Sequence, residues 1–141
     1  MEINHFRRHV VEIARTHRVV VVFDKLLAAD DGVAVSEARM IVVHPVFEET
    51  TYMVAMHELG HVLAPGGHGT IDKSLPPLQQ IISLMDQEDA AWEWARANAI
   101  MWTELMEHWA QWARESYRTS VVAACKAKYI RTPGRPISEW R

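Results

Sequence analysis

Hydrophobic and polar positions alternate along this chain with two different periods. Residues 2–16 carry Ile3, Phe6, Val10, Ile13 and Ala14 on one helical face and charges on the other, which predicts an amphipathic helix. Residues 18–24, "RVVVVFD", hold four consecutive valines and a phenylalanine, a composition that favours a buried strand. Asp30-Asp31-Gly32 predicts a turn, and residues 38–45, "ARMIVVHP", predict a second strand ended by Pro45. The helical period returns over residues 48–63, with acids in the first turn where the helix dipole favours them. Residues 65–77 contain prolines and glycines and predict a loop. From Leu78 to about Ser116 the pattern is helical, with a break near residues 100–103, and residues 130–141 predict an irregular tail. Helix, two strands, helix, loop and long helix make an α+β pattern with a small sheet and a C-terminal helical region. The length, 141 residues, suits one domain spanning residues 1–141.

Composition narrows the function classes. Hydrophobic residues make up 49% of the chain, enough for a core. The formal net charge is -3, so no nucleic-acid partner is predicted, because phosphate-binding surfaces need excess Lys and Arg. Lys126, Lys128, Arg131, Arg135 and Arg141 gather near the C-terminus and read as a solvated tail. The single cysteine, Cys125, follows Val121 to Ala124 and reads as a small apolar residue; without a partner for a disulfide it fits a reducing compartment. The charged N-terminus lacks an apolar signal region, and runs such as Val19 to Phe23 are too short to span a bilayer. The expectation is a cytoplasmic protein with no membrane partner.

The chemistry lies in His57-Glu58-Leu59-Gly60-His61. Residues four apart on a helix sit about 40° apart around the axis and about 6 Å along it, so His57 and His61 can aim at one point. Zinc takes such ligands at about 2.0–2.1 Å. Glu58, about 100° round from His57, borders that point and can hold and deprotonate a water activated by the metal. Tyr52, Ala55, Met56, Leu59, Val62 and Leu63 form the opposite, core-facing side. Gly60 lies beside the metal face and leaves room for a substrate or another backbone.

A catalytic zinc commonly has three protein ligands. His68 falls one residue late for the metzincin spacing, with Ala64 where that pattern needs Gly, though it can approach from the loop. Among Asp86, Glu88, Asp89 and Glu93, only Glu88 sits within the apolar stripe of Ile81, Leu84, Ala91, Trp92, Ala95, Ala99, Trp102 and Met106. A buried carboxylate needs a cation, a hydrogen-bond network or a proton. Glu88 is therefore favoured as the third ligand, with a pairing to an arginine or backbone group across the core as the alternative. His44 is expected beside the site as an outer or substrate-side residue. Tyr52, His44 and His68 are the candidates for stabilising an oxyanion, with Tyr52 on the wrong face.

His57-Glu58-Leu59-Gly60-His61, followed by Glu88-x-x-Ala91-Trp92-x-Trp94-Ala95, resembles the ImmA/IrrE family of bacterial and phage metallopeptidases. The resemblance covers roughly residues 38–100 and implies a zincin-like domain binding one Zn2+ through His57, His61 and Glu88, with Glu58 as general base. Trp92 and Trp94 stand where the family usually has Asn and Phe. Family members cleave repressor proteins, so the resemblance implies a protein substrate such as a repressor. Several carry an added DNA-binding helix-turn-helix, which is not evident here. Of the tryptophans, Trp92, Trp102 and Trp109 read as core, while Trp94 and Trp112 are the better candidates for an exposed face. His5, His9, His17 and His108 read as solvated. The expected function is zinc-dependent peptide-bond hydrolysis; the alternative is a non-catalytic zinc-binding or interaction module using the tryptophan-rich helix.

Overall fold

The computed structural model describes residues 3–69 and 71–131, and the side chains of residues 5–69 and 71–124. Of the irregular tail expected over residues 130–141, Ile130 and Arg131 are instead the last residues of a helix, while residues 132–141, Trp140 among them, the Cys125 side chain and the C-terminal basic side chains lie outside the described residues. The elements are α1 (Ile3–Thr16), β1 (Val20–Phe23), β2 (Gly32–Val35), a 3-10 turn (Ser36–Ala38), β3 (Met40–Val43), α2 (Glu49–Leu63), α3 (Pro77–Asn98) and α4 (Glu104–Arg131). This is a small α+β domain with a C-terminal helical region, as the pattern predicts.

α1 stops because the chain turns left-handed at Arg18, φ 58°. The Val19 amide then donates to the Ala14 carbonyl and the Arg18 amide to the Arg15 carbonyl, the paired bonds of a Schellman cap. This cap delivers the chain into β1. The three strands lie in the order β1-β3-β2. β1 runs parallel to β3 with Val21 opposite Ile41, and β2 runs antiparallel with Ala34 also opposite Ile41. Ile41 and Val43 are fully buried, and Val21, Phe23 and Ala34 pack against the same core.

Two expectations need correction. β1 is not a wholly buried strand: its exposure alternates, and Val20 and Val22 face outward on the sheet side that also exposes Val33. A run of valines conceals this because apolar residues occupy both faces. The second correction is β2, which the sequence pattern did not yield. Its four residues, Gly-Val-Ala-Val, follow the Asp-Asp-Gly turn and are too few to establish a period.

α2 lies against the sheet with Tyr52, Met53, Ala55, Met56 and Leu59 essentially inaccessible. Its start is fixed by Thr51, whose hydroxyl accepts from the Phe47 and Glu48 amides and donates to the Glu48 carbonyl. α3 opens with Pro77 in its first turn, where the missing N–H costs nothing. The break expected near residues 100–103 is present. Thr103 accepts the Met106 amide at 3.2 Å and so caps α4, while the Tyr52 hydroxyl accepts the Ile100 amide at 3.0 Å. α4 runs on past Ser116 to Arg131. Arg114 ties it to Asp89 and Glu93 of α3, and Arg118 adds a second contact to Asp89. Trp102 consequently reaches the core from within the break and Met106 from α4, not as a continuation of the α3 stripe. Among the described residues no helix is long and apolar enough to cross a membrane.

Candidate metal centre

The site exists because α2 and α3 cross at very short range. A Cβ added at Gly60 would run into the backbone of Ala91, its carbonyl oxygen first. Of the two uses for the space beside Gly60, the structure fills it with another backbone. This contact brings the next turns of α3 up to the two histidines of α2. Glu88 Oε1 then lies 2.9 Å from His57 Nε2, and Glu88 Oε2 lies 3.0 Å from His61 Nε2. One donor atom from each of His57, His61 and Glu88 falls within 4.8 Å of the others, and this buried or half-buried group could hold a metal ion.

Hydrogen-bond chemistry limits what can sit between these groups. His61 Nδ1 is 2.8 Å from the Gly67 carbonyl, which can only accept, so Nδ1 carries a proton. The Nε2 of His61 therefore faces a carboxylate oxygen either as an imidazolium or across a cation. His57 has carboxylate oxygens on both sides, Glu58 Oε1 at 3.3 Å from Nδ1 and Glu88 Oε1 at 2.9 Å from Nε2. Despite its short distance, the second contact does not have hydrogen-bond geometry: among the described residues the buried His57 Nε2 has no hydrogen-bond partner. Two imidazoles and a carboxylate are a donor set that divalent transition metals accept, zinc among them.

Electrostatics follow the same arrangement. Burial alone would lower the His57 pKa, but the facing Glu58 and Glu88 carboxylates outweigh it and push the group up to about 9. His61 is likewise raised against its burial by the Glu88 contact. Burial would raise Glu88, yet the two histidines hold it far below the usual carboxylate range.

A cleft of about 780 Å³ opens at this group. One wall is β2 and the 3-10 turn, contributing Gly32 to Ala34, Ser36 and Glu37; the Gly67–Gly69 segment and Gln87 face them. Glu58 lines the cleft and is itself only 7% exposed. Its carboxylate rests on the Nδ1 side of His57, opposite Glu88. Gly32 leaves the space that the Glu58 Cγ uses, since a Cβ there would approach it to 2.9 Å.

The sequence candidates are thus sorted. His57, His61, Glu88 and Glu58 come together. His68 stands on the exposed cleft wall with Nδ1 2.9 Å from the His61 carbonyl, outside the three converging donors. His44 does not line the cleft: its Nδ1 donates to its own neighbour, the Pro45 carbonyl, and its ring packs on Phe47. Tyr52 is buried on the core side, its hydroxyl held between Ile100 and His9. His9 is therefore not a solvated histidine; its Nδ1 sits 2.8 Å from that hydroxyl. Asp89 and Glu93 point to the arginines of α4 and α3. Trp94 packs against the core, leaving Trp112, 57% exposed, as the outward tryptophan of the pair. Trp92 is buried as expected, but it also stacks on the His57 ring, with centroids 4.0 Å apart and planes 15° apart. Tyr117 of α4 reaches the cleft, a placement without a sequence signal because it depends on how α4 folds back over α3.

Comparison with known proteins adds no identity: no family model, curated protein or solved structure matches this chain.

Proposed function

We propose that this chain is a zinc-dependent peptidase resembling the ImmA/IrrE family, zincin-like in its use of a His-Glu-x-x-His helix and acting on a protein substrate in the cytoplasm. The observation that carries this is the convergence of His57, His61 and Glu88 at the floor of a cleft that Glu58 also lines. Zinc, when bound there, supplies Lewis acidity toward a water and toward the substrate carbonyl. His57 and His61 offer neutral Nε2 atoms to the ion, and Glu88 offers its carboxylate. Glu58 exchanges its contact with His57 for the attacking water, accepts that water's proton and delivers it to the leaving amine. A repressor is the kind of substrate that the family resemblance suggests.

Zinc per chain, measured by elemental analysis on the parent protein and on Glu88→Ala, tests the site. About one equivalent in the parent and little in the variant is the expected result. An empty parent after incubation with zinc would remove both the metal and the peptidase. Glu58→Gln separates catalysis from a purely structural metal: zinc should stay bound while hydrolysis of a denatured-protein substrate falls by at least about 100-fold.

A further inference from the structure

The two histidines are held in different ways. His61 has a backbone anchor, because its Nδ1–H donates to the Gly67 carbonyl at 2.8 Å. Such an outer hydrogen bond is the usual means of fixing the ring of a metal-ligating histidine. His57 has none. Its Nδ1 faces only the Glu58 carboxylate at 3.3 Å, a long contact to a side chain that the proposed chemistry needs elsewhere. Something other than a hydrogen bond must fix the His57 ring when Glu58 is engaged.

Trp92 is placed to do so. Its indole lies nearly parallel to the imidazole at 4.0 Å, and it is only 4% exposed. Turning the His57 ring about its Cβ–Cγ bond would drive its edge into the indole face. The backbone under Trp92 is held close by the contact of Ala91 with Gly60 and by fully buried Ala95. Among the described residues the indole has no polar anchor, since its buried Nε1 finds no hydrogen-bond partner there. A buried N–H without an acceptor is costly, so packing against the imidazole and the core determines where this ring sits.

We propose that Trp92 is a positioning residue for the metal, its indole face holding the His57 imidazole with Nε2 directed at the point shared with His61 and Glu88. The proposal rests on the metal-binding reading of the site. It assigns a role to one of the two positions, Trp92 and Trp94, at which the chain departs from the pattern it resembles.

The test compares the full chain with Trp92→Phe and Trp92→Leu. Affinities for Zn2+ and Co2+ are measured by competition with a chromophoric chelator, and the visible spectrum of the Co2+ form is recorded. Trp92→Phe keeps an aromatic face and should bind within about threefold of the parent with an unchanged Co2+ spectrum. Trp92→Leu should weaken binding on the order of 10–100-fold, the loss typical of an outer-shell partner, and should alter the spectrum. Equal affinity and spectrum in the Leu variant would overturn the proposal, as would an equal loss in both variants. Failure of the parent to bind either ion would instead remove the metal site itself. If Trp92→Leu does not fold, NMR of the parent decides. His57 ring protons shifted upfield by the indole, and unmoved in that respect on adding Zn2+, would support the stack; ordinary shifts would overturn it.

Discussion

The hydroxyl of Tyr52 is used twice. It accepts the Ile100 amide at 3.0 Å, so its own proton is free to go to His9 Nδ1 at 2.8 Å. Burial pushes the phenol up to about 12 and lowers His9, and both shifts favour the neutral pair. Tyr52→Phe leaves an amide and an imidazole without their partner; urea unfolding should show a loss of about 1–3 kcal/mol. At the metal centre the titration has the opposite sign. The His57 pKa is raised to about 9, above its unfolded value, so in the metal-free protein its contribution is full below about 6.5 and is lost as pH rises through 9. Metal binding must displace that proton. Apparent Zn2+ affinity should therefore rise about tenfold per pH unit for each proton released, levelling near pH 9, as a chelator-competition series from pH 6.5 to 9.5 would show. Glu88 was legible in the sequence because helical angle alone put one charge into an apolar stripe. His9 was not, because its partner is 43 residues away and its own neighbours are charged.

At the scale of elements, the crossing of α2 over α3 decides the site. Gly60 could be read as a need for space, but only the folded chain shows that Ala91 fills it. Gly60→Ala should force the helices apart, costing about 1–3 kcal/mol of stability in denaturant unfolding. The same variant should bind zinc more weakly, because Glu88 lies one turn from Ala91 on the helix that must move. A loss of stability with unchanged zinc affinity would show that the crossing and the site are independent. The helix boundaries were mostly legible, since Pro77, Thr103 and the glycines after Leu63 are local signals. β2 was not, although it forms a wall of the cleft: its pairing with β3 is a nonlocal fact that four residues cannot advertise. The placements of Tyr117 and His44 failed to be legible for the same reason. Sequence proximity to the metal helix suggested His44, whereas the strand's exit carries its side chain to Pro45 and Phe47.

For the whole molecule, the proposed metal ligands come from two segments of the chain on either side of the α2–α3 connection. His57 and His61 belong to α2, which packs with the sheet and α1; Glu88 belongs to α3, which packs most extensively against α2 itself and also against α4. An ion that binds only the folded arrangement stabilises it by mass action, about 2.7 kcal/mol at 100 times its Kd. Thermal unfolding should accordingly shift upward on adding zinc to metal-free protein and return when a chelator is added. Glu88→Ala should abolish that response and should also lower the metal-free midpoint, because it removes the carboxylate that faces both histidines. In the connection between α2 and α3, Pro65, Gly66, His68 and Gly69 are exposed. A protease that nicked this connection would cut the covalent tie but not the clasp formed by ligands on either side of it. The two fragments would travel as one particle, and stripping the metal would loosen their hold on each other.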